Sequence, residues 1–156
     1  MEIFEYFDKD LDSVFASLKN NEDVINYEKI DQDDFVILPE KGFSLQSGPF
    51  LETVSDIRVY LLAKEDFFPI DRELLGDFKN VNTLADLHSL IGPKIMDIKS
   101  VNIPGLGPTL PGAKYLWGDI SVSAYVNDGG EIVNMLFSRR CQTNSNSSQN
   151  TIITKI

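Results

Sequence analysis

The segment from Trp117 to Arg139, WGDISVSAYVNDGGEIVNMLFSR, constrains the fold more than any other stretch of the chain. Ile120, Val122, Ala124 and Val126 fall on one side of an extended backbone, and Asp119, Ser121, Ser123 and Tyr125 fall on the other. A period of two marks a strand with one buried face. Asn127-Asp128-Gly129-Gly130 follows, and these residue types accept the positive φ of a tight hairpin turn. Ile132 to Phe137 supplies a second, more apolar strand. The spacing predicts a β-hairpin whose apolar face the rest of the chain must cover.

Two helices are legible by the other period. Leu11, Val14, Phe15 and Leu18 are spaced i, i+3, i+4, i+7, so residues 8–20 predict one amphipathic helix. Asp8, Asp10 and Asp12 crowd its positive end, and Lys19 suits the opposite pole. Asn82 is placed to cap a second helix over residues 83–91, with Leu84, Leu87 and Ile91 on its buried side and Gly92-Pro93 as its stop. Between them, Phe35 to Leu38, Phe43 to Gln46 and Thr53 to Ala63 read as strands separated by Pro39 and by Ser47-Gly48-Pro49. Val24 to Ile30 fits a short strand or an ordered loop. Lys64 to Lys79 reads as a crossover loop pinned by aromatic side chains, and the Pro- and Gly-rich stretch from Pro104 to Gly112 as a loop leading to the hairpin. Helix then strands occurs in the first half, and helix then hairpin in the second, a coarse internal echo.

A chain of 156 residues fits one domain with its own core. Strands between isolated helices, with no βαβ rhythm, predict an α+β fold: a single antiparallel sheet of about five to six strands with two main helices packed on one face. Residues 1–141 form that domain in this reading, and residues 142–156, opening with QTNSNSSQN, form a polar, flexible tail.

Charge narrows the function classes. Residues 1–40 hold twelve acidic side chains against Lys9, Lys19 and Lys29, a net of −9 out of a total of −10. Such a surface repels nucleic acid and anionic membrane and attracts basic partners. No apolar run reaches the ~18 residues of a membrane helix, and the acidic N-terminus does not read as a secretion signal. A cytoplasmic protein is the expectation, and the single Cys141 excludes an internal disulfide.

No motif specifies a reaction. Asp8-x-Asp10-x-Asp12 opens like a calcium loop, but the sixth position is Ser13 and the twelfth Lys19. His88 is the only histidine, and neither Asp86 nor Ser89 shares its helical face. Arg139-Arg140 could acidify the Cys141 thiol, but no base stands beside it in sequence. Gly105-Leu106-Gly107-Pro108 lacks the Lys-Ser/Thr and the helix of a phosphate loop. The chain reads as a non-enzymatic protein without cofactor or metal.

FVILPEKGFSLQ, then IRVYLLA, then a charged aromatic loop, the helix TLADLHSLIGP and a Trp-led hairpin make a sequence of elements spanning roughly residues 35–138. This order resembles small bacterial immunity proteins of the polymorphic-toxin type, including those directed against contact-dependent growth inhibition toxins and S-type pyocins. The resemblance implies an inhibitor in bacterial competition that binds the catalytic domain of a cognate toxin, a basic nuclease domain by preference, and occludes its active site or substrate surface. It implies that the acidic segment is the interface, with Asp10, Asp12, Glu22, Asp23, Glu28, Asp31, Asp33 and Asp34 as contact residues and Tyr27 as an aromatic anchor among them. The alternative is a protein–protein interaction or scaffold module that binds an unrelated partner through the edge of the hairpin.

Overall fold

Ile120–Val126 and Ile132–Ser138 form the hairpin that the alternation predicts, joined through a turn in which Asn127 Oδ1 accepts from the Gly129 and Glu131 amides. It is the middle of a larger sheet. The computed structural model describes residues 1–21, 25–49 and 52–139. In chain order the strands are β1 (Asn26–Ile30), β2 (Asp33–Leu38), β3 (Phe43–Ser47), β4 (Asp56–Tyr60), β5 (Met96–Ile98), β6 (Asn102–Ile103), β7 (Gly107–Pro108), β8 (Gly112–Trp117), β9 (Ile120–Val126) and β10 (Ile132–Ser138). Eight form one antiparallel sheet in the order β1-β2-β3-β4-β10-β9-β8-β5, while β6 and β7 pair separately. The α-helices are short: α1 (Leu11–Lys19) and α2 (Leu84–Ile91). Three 3₁₀ segments, Ile3–Tyr6, Pro39–Lys41 and Arg72–Phe78, complete the described elements.

The architecture is therefore mostly β, which corrects the expected α+β fold with five to six strands and two main helices. Two strands of the large sheet escape the sequence pattern, as do the two-residue strands β6 and β7. The alternation of Ala113, Tyr115 and Trp117 in β8 is short and directly follows the Pro- and Gly-rich stretch that reads as loop. β5 has only three residues and lies at the sheet edge, too short for a period to register. The crossover expected at residues 64–79 instead holds the Arg72–Phe78 helical segment, kinked at Gly76.

One face of the sheet carries the core. Val36 and Leu38 of β2, Phe43 and Leu45 of β3, Ile57 and Val59 of β4, Met135 and Phe137 of β10, Val122 and Ala124 of β9, and Ala113 and Tyr115 of β8 all lie on it, fully or nearly buried. The N-terminal segment, α1, the Arg72–Phe78 segment and α2 cover it through Ile3, Leu11, Val14, Leu75, Phe78 and Leu87. Phe4, Phe78, Trp117 and Phe137 meet in edge-to-face and tilted contacts with ring centroids 4.7–6.2 Å apart.

The internal echo extends to the whole sheet. A 3₁₀ segment, α1 and the meander β1–β4 make one half; a 3₁₀ segment, α2 and β5, β8, β9, β10 make the other. The last strands, β4 and β10, pair with each other at the centre, and Arg58 stands opposite Leu136 there. Turning one half onto the other about that point matches Val36 to Ala113, Leu38 to Tyr115, Phe43 to Val122, Leu45 to Ala124, Ile57 to Met135 and Val59 to Phe137, core side chain to core side chain. The halves differ most at their outer ends. β1 and β2 are joined by a two-residue turn with Asp31 at φ 56, whereas residues 99–111, including β6 and β7, intervene between β5 and β8.

Candidate functional site

The acidic residues collect around α1 and the β1–β2 hairpin, but the sheet divides them. Asp10 is the N-cap of α1: its Oδ2 accepts from the Ser13 amide and hydroxyl, both at 2.9 Å. Asp12, two residues on, reaches β1. The Tyr27 hydroxyl lies 2.9 Å from Asp12 Oδ1 and 2.9 Å from Asp34 Oδ2. A phenol has one proton to donate, so it serves the two carboxylates in turn. Lys29 pairs with the other oxygen of Asp34, and the Phe15 ring stands edge-on to Tyr27 at 5.2 Å. Asp12, Tyr27, Lys29 and Asp34 thus form one network on the helix-covered side of the sheet.

Glu28, Asp33 and Phe35 point to the opposite side, because their neighbours in β1 and β2 alternate across the pleat. Gln46 Nε2 donates to Asp33 Oδ2 at 2.6 Å from β3. Asp31 sits in the turn between the strands, where its positive φ falls in the left-handed region that Asp tolerates better than most side chains. Seven of the expected contact residues therefore lie at one corner of the molecule, on two faces. Glu22 and Asp23 lie outside the described residues, as do Cys141 and the tail 142–156.

Protonation follows the geometry. Lys29 first, and then the Tyr27 hydroxyl, hold the Asp34 carboxyl below the usual carboxylate range. Burial, then the hydrogen bonds to Asp12 and Asp34, push the Tyr27 phenol well above its ordinary value. Both shifts favour the same state, a neutral phenol between two carboxylates.

Tyr27, an aromatic anchor of the interface in what the resemblance implies, bridges α1 and the hairpin through its hydroxyl. Only a contact across the fold makes this visible, since Asp12 and Asp34 flank Tyr27 at long and unequal distances in sequence. The hairpin edge required by the scaffold alternative is occupied: β10 pairs with β4, and β9 with β8. Ser121 and Ser123, on the polar side of β9, are themselves buried.

No protein-family model matches the chain, and no curated protein matches it. Among solved structures, a cysteine-rich secretory protein from Staphylococcus aureus is similar over 99% of this chain and 54% of its own, with 12% sequence identity and a TM-score of 0.49. This chain spans about half the length of that protein. Among the described residues, no helix is long and apolar enough to cross a membrane.

Proposed function

We propose that this chain is an immunity protein: a non-enzymatic, cytoplasmic inhibitor that binds the catalytic domain of a cognate bacterial toxin, a nuclease by preference, and occludes its active site or substrate surface. The observation that supports the reading is the corner built by α1 and the β1–β2 hairpin, where carboxylates are held in place before any partner arrives. Asp10 is fixed as a cap, Asp12 and Asp34 by Tyr27, and Asp33 by Gln46. Carboxylates already ordered lose little rotamer freedom on binding, and their shared field steers a basic surface towards them. Lying on both sides of the β1–β2 hairpin, they would make its corner the negative element that enters a cleft binding the phosphates of nucleic acid.

The test is binding and inhibition of the toxin domain encoded beside this chain, with association measured across ionic strength. The expected result is protection of the cell, with an association rate that falls at least about tenfold between low and high salt. Absence of binding to that domain would sink the immunity reading. Binding with a salt-independent rate would sink the electrostatic mechanism alone.

A further inference from the structure

β5 has three residues, but the sheet edge it opens is longer. Met96 to Ile98 run opposite Lys114 to Gly112, and Asn102 and Ile103 opposite Pro108 and Gly107, in one unslipped register. Between them Val101 and Thr109 keep that register. The Thr109 amide donates to Val101 O at 2.8 Å, and the Val101 amide to Thr109 Oγ1 at 2.9 Å. Residues 96–103 are therefore the outer strand of one hairpin arm. Pro93 and Pro104 bracket this strand and no proline falls within it, so no missing N–H blunts the edge. Seven of the ten large apolar side chains exposed among the described residues lie between Leu90 and Leu116, the stretch that carries this edge. An exposed apolar set beside an open strand marks an interaction surface.

The large sheet has two outer strands, β1 and β5, and charge separates them. β1 belongs to the acidic corner, so two copies meeting there would bring like charges together. Residues 1–40 carry −9 of the total of −10, which leaves −1 for the rest of the chain. Seven strand spacings, about 33 Å, lie between β1 and β5. That is several times the screening length of ~10 Å. Two copies joined at β5 would hold their acidic corners at the far ends, where repulsion does not oppose the contact.

We propose that a second copy of this chain pairs with this edge, antiparallel, about a two-fold axis at Ile98. An axis normal to the sheet keeps the helix-covered faces of both copies on one side, so odd residues meet odd and even meet even. Centred on Asp97 or on Lys99, the axis would set like charges directly opposite, which is destabilising. Centred on Ile98, it sets Asp97 against Lys99 of the second copy, and Ile95 against Val101 of the second copy, each pair occurring twice. Asp97 already holds Lys94 of its own chain at 2.6 Å. A carboxylate has about four acceptor sites, and exposed Asp97 can take a second cation as well. Met96 and Leu116, exposed on the uncovered face, flank the seam there. The pairing is independent of the toxin-binding reading, since it leaves the acidic corner of each copy free.

The experiment is sedimentation equilibrium of the full chain. The expected result is a dimer at about 100 μM. Asp97→Lys and Lys99→Asp each put like charges across the seam, and each should weaken the dimer at least about tenfold. An equimolar mixture of the two variants faces opposite charges again and should form a mixed dimer within about threefold of the original affinity. If either variant does not fold, two-dimensional amide spectra of the unmodified chain at rising concentration decide alone: shifts should move over residues 95–101 and stay fixed over 26–30. A monomer at about 100 μM would overturn the proposal. So would single variants that pair as tightly as the unmodified chain, a mixture no tighter than either variant, or shifts centred elsewhere.

Discussion

The two halves of the sheet share a plan and differ in what they turn outward. Both consist of a 3₁₀ segment, a short helix and four strands, and their core positions correspond one to one across the β4–β10 seam. The first half displays carboxylates: Asp10, Asp12, Glu28, Asp31, Asp33 and Asp34 surround its outer strands. The second displays apolar side chains instead. Leu90, Ile95, Met96, Val101, Ile103, Leu106 and Leu116 are all exposed, Leu106 by 82%. A shared interior with divergent surfaces separates two demands. The core answers to volume and register, which the matched pairs keep. The surfaces answer to partners, and a charged face and an apolar face cannot serve the same one.

Several substitutions can break or sharpen this contrast. Phe137→Ala removes a ring shared by Phe4, Phe78 and Trp117 and should cost about 3–5 kcal/mol, read by denaturant unfolding. Its counterpart Val59→Ala has less to lose, about 2–3 kcal/mol. Equal losses would mean that the aromatic cluster does not favour one half. Neutralising Asp31, Asp33 and Asp34 together should slow association with a basic partner about tenfold at low salt and change dissociation little. An unchanged rate would remove the acidic corner from the interface. Ser121→Ala and Ser123→Ala report on packing rather than on that surface, because both side chains are buried.

Thr83→Ala breaks the reciprocal cap of α2, in which Thr83 Oγ1 accepts from the Asp86 amide and Asp86 Oδ2 accepts from the Thr83 amide, and should cost about 1 kcal/mol. Tyr27→Phe removes the proton shared by Asp12 and Asp34 and should also cost about 1 kcal/mol near neutrality. The Tyr27 contribution is complete below the ordinary phenol value of 10.0, because the folded state holds the proton more tightly. It fades as pH rises above 10.0, where the unfolded chain ionises first, so the Tyr27→Phe deficit should shrink there. Asp34 has the opposite sign. Its carboxyl is depressed, so its stabilisation is present above the ordinary value of 3.8 and lost as pH falls below it. Asp34→Asn should flatten the acid limb of the stability profile. Leu106→Ser, at the exposed end of the apolar set, should shift stability by less than about 0.5 kcal/mol.

The parts legible in the sequence were those with a long enough period. β9 alternates over seven residues, β10 is an apolar run directly after a turn signal, and α1 carries a full i, i+3, i+4, i+7 stripe, so all three are legible. The end of α1 was well marked, while its start moved from residue 8 to Leu11 because Asp10, not Asp8, takes the cap. The cap of α2 fell on Thr83 rather than Asn82 for the same kind of reason: Asp86 reaches back to close a box with Thr83. β5 and β8 were hidden, and with them the symmetry, because a register between strands is a tertiary fact and no repeat survives in the residues themselves. At the site, charge located the corner but could not divide its acids between two faces. That division follows from the alternation within β1 and β2 once their pairing is known.

The seam between β4 and β10 has a kinetic consequence. Every other pairing in the large sheet joins strands that are neighbours in sequence or lie across one short excursion, such as Ile30 with Asp33, Leu38 with Phe43 and Trp117 with Ile120. Tyr60 must find Asn134 across the whole second helix and three strands of the second half. Loop closure on that scale makes the seam the slow step, with each half free to assemble by local contacts first. Stopped-flow refolding should therefore slow for Phe137→Ala and stay nearly unchanged for Tyr27→Phe, whose loss should appear in the unfolding rate.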